Sequence, residues 1–181
     1  MRHNIFILKT LLCGMLLCFS FSVTVQAGDS IESAGDILTF LIPATAAGLT
    51  IGFKDAKGAV QLGGSAALTM GITYGLKYTV NETRPDGKSQ SFPSAHTSIS
   101  FASAEFMRKR YGWEYGIPAY AAATFVAVSR VESNNHYTHD VLAGAAIGIV
   151  SSYIFTRPYK GWHIQPEVDQ KNYGIRLGRI W

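Results

Sequence analysis

Within the 64 residues from Lys77 to Asp140, three short groups of side chains are suited to gripping and cleaving a phosphate. They are Lys77 with Arg84-Pro85, then Pro93-Ser94-Ala95-His96, then Ser129-Arg130 with His136 and Asp140. A phosphoryl group in transfer spreads negative charge over three equatorial oxygens, so a catalyst without metal must aim fixed cations and N–H donors at them. Lys77, Arg84 and Arg130 are three such cations. Arginine offers a planar fork that matches two phosphate oxygens, and lysine a compact point charge. Ser94 adds a hydroxyl, and at the start of a helix the free backbone N–H groups near Ala95 and His96 form an anion seat.

Two histidines can divide the remaining chemistry, because imidazole titrates near neutrality and serves as nucleophile or as proton donor. His136 is the nucleophile candidate: Asp140 follows four residues later, one turn away if the segment is helical, and would hold the ring in one tautomer. His96, beside Ser94, is then the acid that protonates the leaving oxygen. His139 also precedes Asp140 but lacks the four-residue spacing, which leaves it at best an outer support. His136 and His139 could form a metal pair, but no third ligand cluster with suitable spacing is readable and the pocket is already cationic. The expectation is therefore no metal and no cofactor.

Lys77, six residues, Arg84-Pro85; Pro93-Ser94-Ala95-His96-Thr97; and Ser129-Arg130, five residues, His136, three residues, Asp140 together resemble the three-part signature of the type 2 phosphatidic acid phosphatase and vanadium haloperoxidase superfamily. Each part alone is weak; three in order with these internal spacings are specific. The likeness covers about Leu76 to Gly144. What it implies is a metal-free phosphatase in a helical bundle, working through a phosphohistidine. His136 would be the nucleophile, Asp140 its orienting partner and His96 the general acid, with Lys77, Arg84, Ser94, Ala95 and Arg130 forming the phosphate pocket. Ala95 stands where the family usually has glycine, and its methyl could crowd the phosphate or restrict the turn.

The elements that must position these residues read as all-α, a bundle of about five or six apolar helices with a short C-terminal β-like tail. Apolar runs predict helices at Ile37 to Phe53, Ala59 to Leu76, Gly112 to Val128 and Val141 to Thr156. Another opens at Ser94 and runs to Arg110, after a polar loop from Asn81 to Pro93. Ser129 to Asp140 reads as the connection between the last two helices. From Trp162 to Trp181 the pattern alternates, as in a strand, and Asp169 to Asn172 could turn it into a hairpin. Residues 1–27 read as a signal peptide, with a retained first membrane helix as the alternative; 28–160 form the helical domain and 161–181 the tail. Cys13 and Cys18 both fall in the leader, so the mature chain has no disulfide.

If the apolar helices cross a membrane, one threading sends Lys54, Lys57, Arg108-Lys109-Arg110 and Arg157 to the cytoplasmic side and all three phosphate groups to the other. Against this, the apolar runs are shorter than the roughly 20 residues that a span wants. A soluble periplasmic bundle is the alternative. The formal net charge of +4 falls to +2 without the leader's Arg2 and Lys9, too little for nucleic-acid binding. The sequence thus points to a cell-envelope hydrolase of phosphate monoesters or diphosphates. Its partner would be a phosphorylated lipid, or a small phosphate ester in the soluble version. A vanadate-dependent haloperoxidase and a non-catalytic phosphate or lipid binder are the rivals.

Overall fold

A 17-residue helix in the middle of the chain organises the bundle. The computed structural model describes residues 27–159, 162–169 and 172–179; the predicted leader up to residue 26 lies outside them. Among the described residues five helices follow one another: α1 (Ala27–Gly52), α2 (Ala56–Val80), α3 (Ala95–Tyr111), α4 (Trp113–Glu132) and α5 (Thr138–Phe155). α3 packs against all four others, and none of the large exposed apolar side chains belongs to it. Its composition explains why it can be enclosed: Ser98, Ser100, Ala102, Ser103 and Ala104 are small enough for neighbouring backbones to approach.

The two sides of α3 differ. Toward α1 and α4 lies the apolar core, built from Ile42, Ala46, Leu49, Ala104, Phe106, Met107, Tyr115, Ala119, Ala123 and Val126. Toward α2 and α5 the interface is polar and tight. A Cβ on Gly148 would lie 2.2 Å from the Ser98 carbonyl oxygen, so only glycine lets α5 come this close to α3. From α2, Thr73 donates to Ser98 Oγ at 3.0 Å. The inward residues Ser65, Thr69, Thr73 and Lys77 recur every fourth position, which keeps them on one helix face and brings Lys77 inside at the end of the row.

Polar clusters close the end remote from Lys77. Arg110 grips Asp55 with Nε at 2.7 Å and Nη2 at 2.5 Å, and donates to the Arg157 carbonyl. Tyr159 donates to the Phe53 carbonyl at 3.0 Å, so the α1–α2 turn, the end of α3 and the chain after α5 meet there. Glu105, which the sequence places awkwardly in an apolar helix, is 2 % exposed. It is neutralised by two 2.6 Å bonds from Arg108 and one from Tyr120. Removing one partner of such a buried pair costs about 3–5 kcal/mol, because the other charge is left unpaired.

The helices are longer than the apolar runs that announce them: α1 has 26 residues, α2 25 and α4 20. Helices continue through polar residues wherever one face stays buried, which hydropathy does not register. α1 starts well before Ile37, taking in Glu32 and Asp36. Ser129 and Arg130 correct the sequence reading: they sit in the last turn of α4, not in a connection, and Thr138–Asp140 open α5. The true connection is residues 133–137.

Two helices, over Ser30–Gly52 and Thr138–Phe155, are long and apolar enough to cross a membrane. The bundle's outer face carries exposed Phe40, Ile51, Val60, Ile117, Leu142 and Ile154, as a lipid-facing surface would. The tail forms the expected hairpin, β1 (Trp162–Asp169) and β2 (Asn172–Arg179), antiparallel with Asp169 opposite Asn172.

Candidate active site

All three sequence groups converge at the end of the bundle where α2 finishes, α3 begins, α4 finishes and α5 begins. Lys77, in the last turn of α2, is 4 % exposed and donates to the carbonyls of Gln90 at 2.6 Å and Ser91 at 3.2 Å. It thereby folds the 82–94 loop back over the site. Arg84 lies in that loop, with its Nε buried and unpaired among the described residues. The charges of Lys77 and Arg84 reach both His136 and His96.

Ser94 is the N-cap of α3: its Oγ accepts from the Thr97 backbone at 3.4 Å and from the Thr97 hydroxyl at 3.0 Å. Its own backbone N–H donates to the Asp140 carbonyl at 3.1 Å, which ties the start of α3 to the start of α5. The N–H groups of Ala95 and His96 have no acceptor inside the helix, which is the arrangement an anion seat requires. Ala95 is not among the residues with positive φ, so the turn itself makes no demand for glycine.

His136 and Asp140 are 3 % and 0 % exposed, with Nδ1 and Oδ2 3.2 Å apart. The pair does not form along a helix face, because His136 precedes α5. It forms because Asp140 Oδ2 caps the helix start, accepting the Tyr137 backbone N–H at 2.9 Å. A third donor, Ser91 Oγ, lies 2.5 Å from the same oxygen and 3.5 Å from His136 Nδ1. Burial, then the charges of Lys77 and Arg84, lower the His136 pKa to about 4, outweighing Asp140, which favours the charged ring. The imidazole is thus neutral at pH 7. With Nδ1–H directed at Asp140, Nε2 carries the free lone pair.

Arg130 and His96 form a second part of the site around a residue that the sequence did not single out. Arg130 is 3 % exposed; its Nη1 bonds Asp36 at 2.8 Å and its Nη2 the Glu32 carbonyl at 2.8 Å. His96 Nε2 lies 3.7 Å from the same Asp36 carboxylate, and His96 is more open than His136, its side chain 43 % exposed. Asn135 completes the attachment of α1 by donating to Glu32 Oε1 at 2.8 Å. Asp36 and Glu32 lie over forty residues before the first motif, and nothing in their surroundings marks them. Ser91 is different: it stands three residues before Ser94 in the same loop, where its position was a usable clue.

His139 is more connected than its spacing suggested. Its Nε2 lies 3.1 Å from Glu82 Oε1 and 3.2 Å from Asp140 Oδ1. Its ring is stacked on Tyr137. Of the aromatic residues on α4, Tyr115 packs in the core, Tyr120 serves Glu105, and Trp113 is exposed with Arg108 over its ring at 5.0 Å.

The PAP2 superfamily profile matches residues 86–163 of the chain. A lipid A 4'-phosphatase of Helicobacter pylori strain J99 is 29% identical over 170 residues, which span 83% of this chain and 85% of that protein. A lipid A 1-phosphatase of Porphyromonas gingivalis is 40% identical over 89 residues, 46% of this chain but only 20% of that longer protein. Among solved structures, Aquifex aeolicus LpxE superposes with a TM-score of 0.54 at 20% identity, covering 75% of this chain and 95% of that one. This last likeness speaks for the fold.

Proposed function

We propose that this chain is a phosphatase of the PAP2 superfamily, and that it hydrolyses a lipid phosphate, lipid A foremost, through a phosphohistidine formed on His136. The observation that carries the mechanism is the buried His136–Asp140 pair, whose ring is neutral and faces the charges of Lys77 and Arg84. His136 Nε2 attacks phosphorus as the bond from phosphorus to the ester oxygen breaks, and that oxygen takes a proton from His96. Water then attacks the phosphohistidine, His96 removes its proton, and the nitrogen–phosphorus bond breaks to release inorganic phosphate. Lys77, Arg84, Arg130, Ser94 and the N–H groups of Ala95 and His96 hold the phosphoryl oxygens throughout.

Lipid A is preferred over other phospholipids because the likeness to the 4'-phosphatase extends over most of both chains. The protein associates with a membrane, as its apolar outer face supports. Lys54, Lys57, Arg108, Lys109, Arg110 and Arg157 gather at the helix ends opposite the site. By positive-inside bias that end is cytoplasmic and the site faces the extracytoplasmic side. Residues 1–27 then serve as its export signal.

The test is phosphate release by detergent-purified protein from lipid A, phosphatidic acid and a soluble phosphate ester, with mass spectrometry locating the phosphate lost from lipid A. Lipid A should be the fastest substrate, and His136→Ala should lower its rate by about 1,000-fold or more. Preference for the soluble ester, or an unaffected His136→Ala protein, would overturn the reading.

A further inference from the structure

Asp140 gives its two carboxylate oxygens to separate networks. Oδ2 takes the donors from His136, Tyr137 and Ser91. Oδ1 is buried and accepts no hydrogen bond among the described residues, yet it lies 3.2 Å from His139 Nε2. The same nitrogen is 3.1 Å from each oxygen of Glu82. A neutral imidazole has one proton to offer there, so it can serve one carboxylate oxygen at a time.

We propose that Glu82 Oε1, His139 Nε2 and Asp140 Oδ1 form a binding site for a divalent transition metal of the zinc class, and that the bound ion inhibits the enzyme. One ligand atom from each residue lies within 4.8 Å of the others. In a tetrahedral zinc site, with bonds of about 2.0–2.2 Å, neighbouring ligand atoms lie about 3.3 Å apart. The separations from His139 Nε2 are close to that value. One nitrogen and two carboxylates give a donor set that suits zinc better than magnesium or calcium. They also supply two negative charges against the ion's two positive ones. The fourth position is open to water, since His139 and Glu82 are partly exposed.

The ring is held for this task. His139 stacks on Tyr137 at 5.4 Å with the planes 9° apart, and packs against Phe92 at 6.0 Å. Glu82 comes from the loop between α2 and α3, 57 positions away, which is why no ligand spacing is visible in the sequence. Binding exchanges the Nε2 proton for the metal and leaves the reacting groups, His136 Nε2 and His96, unligated. Inhibition follows because an ion on Oδ1 draws charge from the carboxylate that orients His136.

The test uses the full chain in detergent, stripped with chelator and titrated with Zn2+ alone. Binding is read calorimetrically, without substrate, so its outcome does not depend on the proposed reaction. One equivalent should bind, and Glu82→Gln and His139→Ala should each weaken binding about tenfold or more. Phosphate release, scored for each protein against its own metal-free rate, should fall about tenfold in the parent at saturating Zn2+ and recover with chelator. The two variants should be inhibited less than about twofold under the same conditions. Glu82→Gln alters only a partly exposed loop residue, so it keeps the test valid if His139→Ala misfolds. Absence of a stoichiometric site in the parent overturns the proposal, as does equal binding and inhibition in correctly folded Glu82→Gln.

Discussion

Asp36 and Arg130, 94 positions apart in the chain, meet at 2.8 Å. Through this contact the first helix sets the direction of an arginine carried by the fourth, and the same carboxylate lies 3.7 Å from His96. The proposed phosphate grip is therefore referenced to a helix outside the matched signature.

Asp36→Ala should lower kcat/KM by about 10- to 100-fold, because small misplacement of a phosphate-holding group is costly in rate. Arg130 is buried and loses its carboxylate, so the melting temperature should fall as well, and kinetics are read well below it. Parent-like kinetics would show that Arg130 does not depend on this anchor.

Ser91 offers a second positioning test. Its hydroxyl is wholly buried and bonds the same Asp140 oxygen that faces His136. A hydrogen bond to a charged group is worth about 1.5–3 kcal/mol, so Ser91→Ala should reduce kcat about 10- to 100-fold. A loss confined to KM would instead place Ser91 in substrate binding.

The pH profile tests the state of His136. Its pKa of about 4 in the free protein means that the nucleophile stays unprotonated down to that pH. The acidic limb of kcat/KM, which reports the free enzyme, should therefore fall near pH 4 and not near the ordinary histidine value of 6.5. The Arg84 charge opposes protonation, so Arg84→Gln should move that limb upward, toward 6.5, whatever it does to the maximal rate. An acidic limb near 6.5 in the parent would contradict the desolvated, cation-flanked setting of the ring.

Packing between α3 and α5 carries the candidate site, since α3 opens at Ser94–His96 and α5 follows directly on His136 with Asp140 in its first turn. In Gly148→Ala the new methyl would meet the Ser98 carbonyl at 2.2 Å and the Ala102 nitrogen at 2.7 Å. The helices must separate, at about 1–3 kcal/mol in stability, with activity falling alongside. Gly71→Ala is the control: nothing lies within 4 Å of its added carbon, and the gain in helix propensity should leave the protein equally or more stable. Thermal unfolding of both variants in one detergent separates the two effects.

The sequence by itself determined the helical class and which side chains are candidates for phosphate chemistry. Lys77, Arg84, Ser94, His96, Arg130, His136 and Asp140 were legible because their spacing along the chain is fixed by local geometry: a helix end, a cap, a short connection. The alternation of Tyr173, Ile175 and Leu177 likewise announced the hairpin. Helix lengths were underread, since a polar residue such as Asp36 leaves a helix intact while ending an uncharged run. Only the tertiary structure decided which neighbours those motif residues acquire. Asp36 on Arg130, Ser91 on Asp140, and Glu82 on His139 are contacts across 94, 49 and 57 positions. No periodicity encodes such pairs, because they exist only after α3 is enclosed and the helix ends are brought to one face. What separates a recognisable signature from a poised site is that enclosure: it dries His136 and divides the oxygens of Asp140 between two partners.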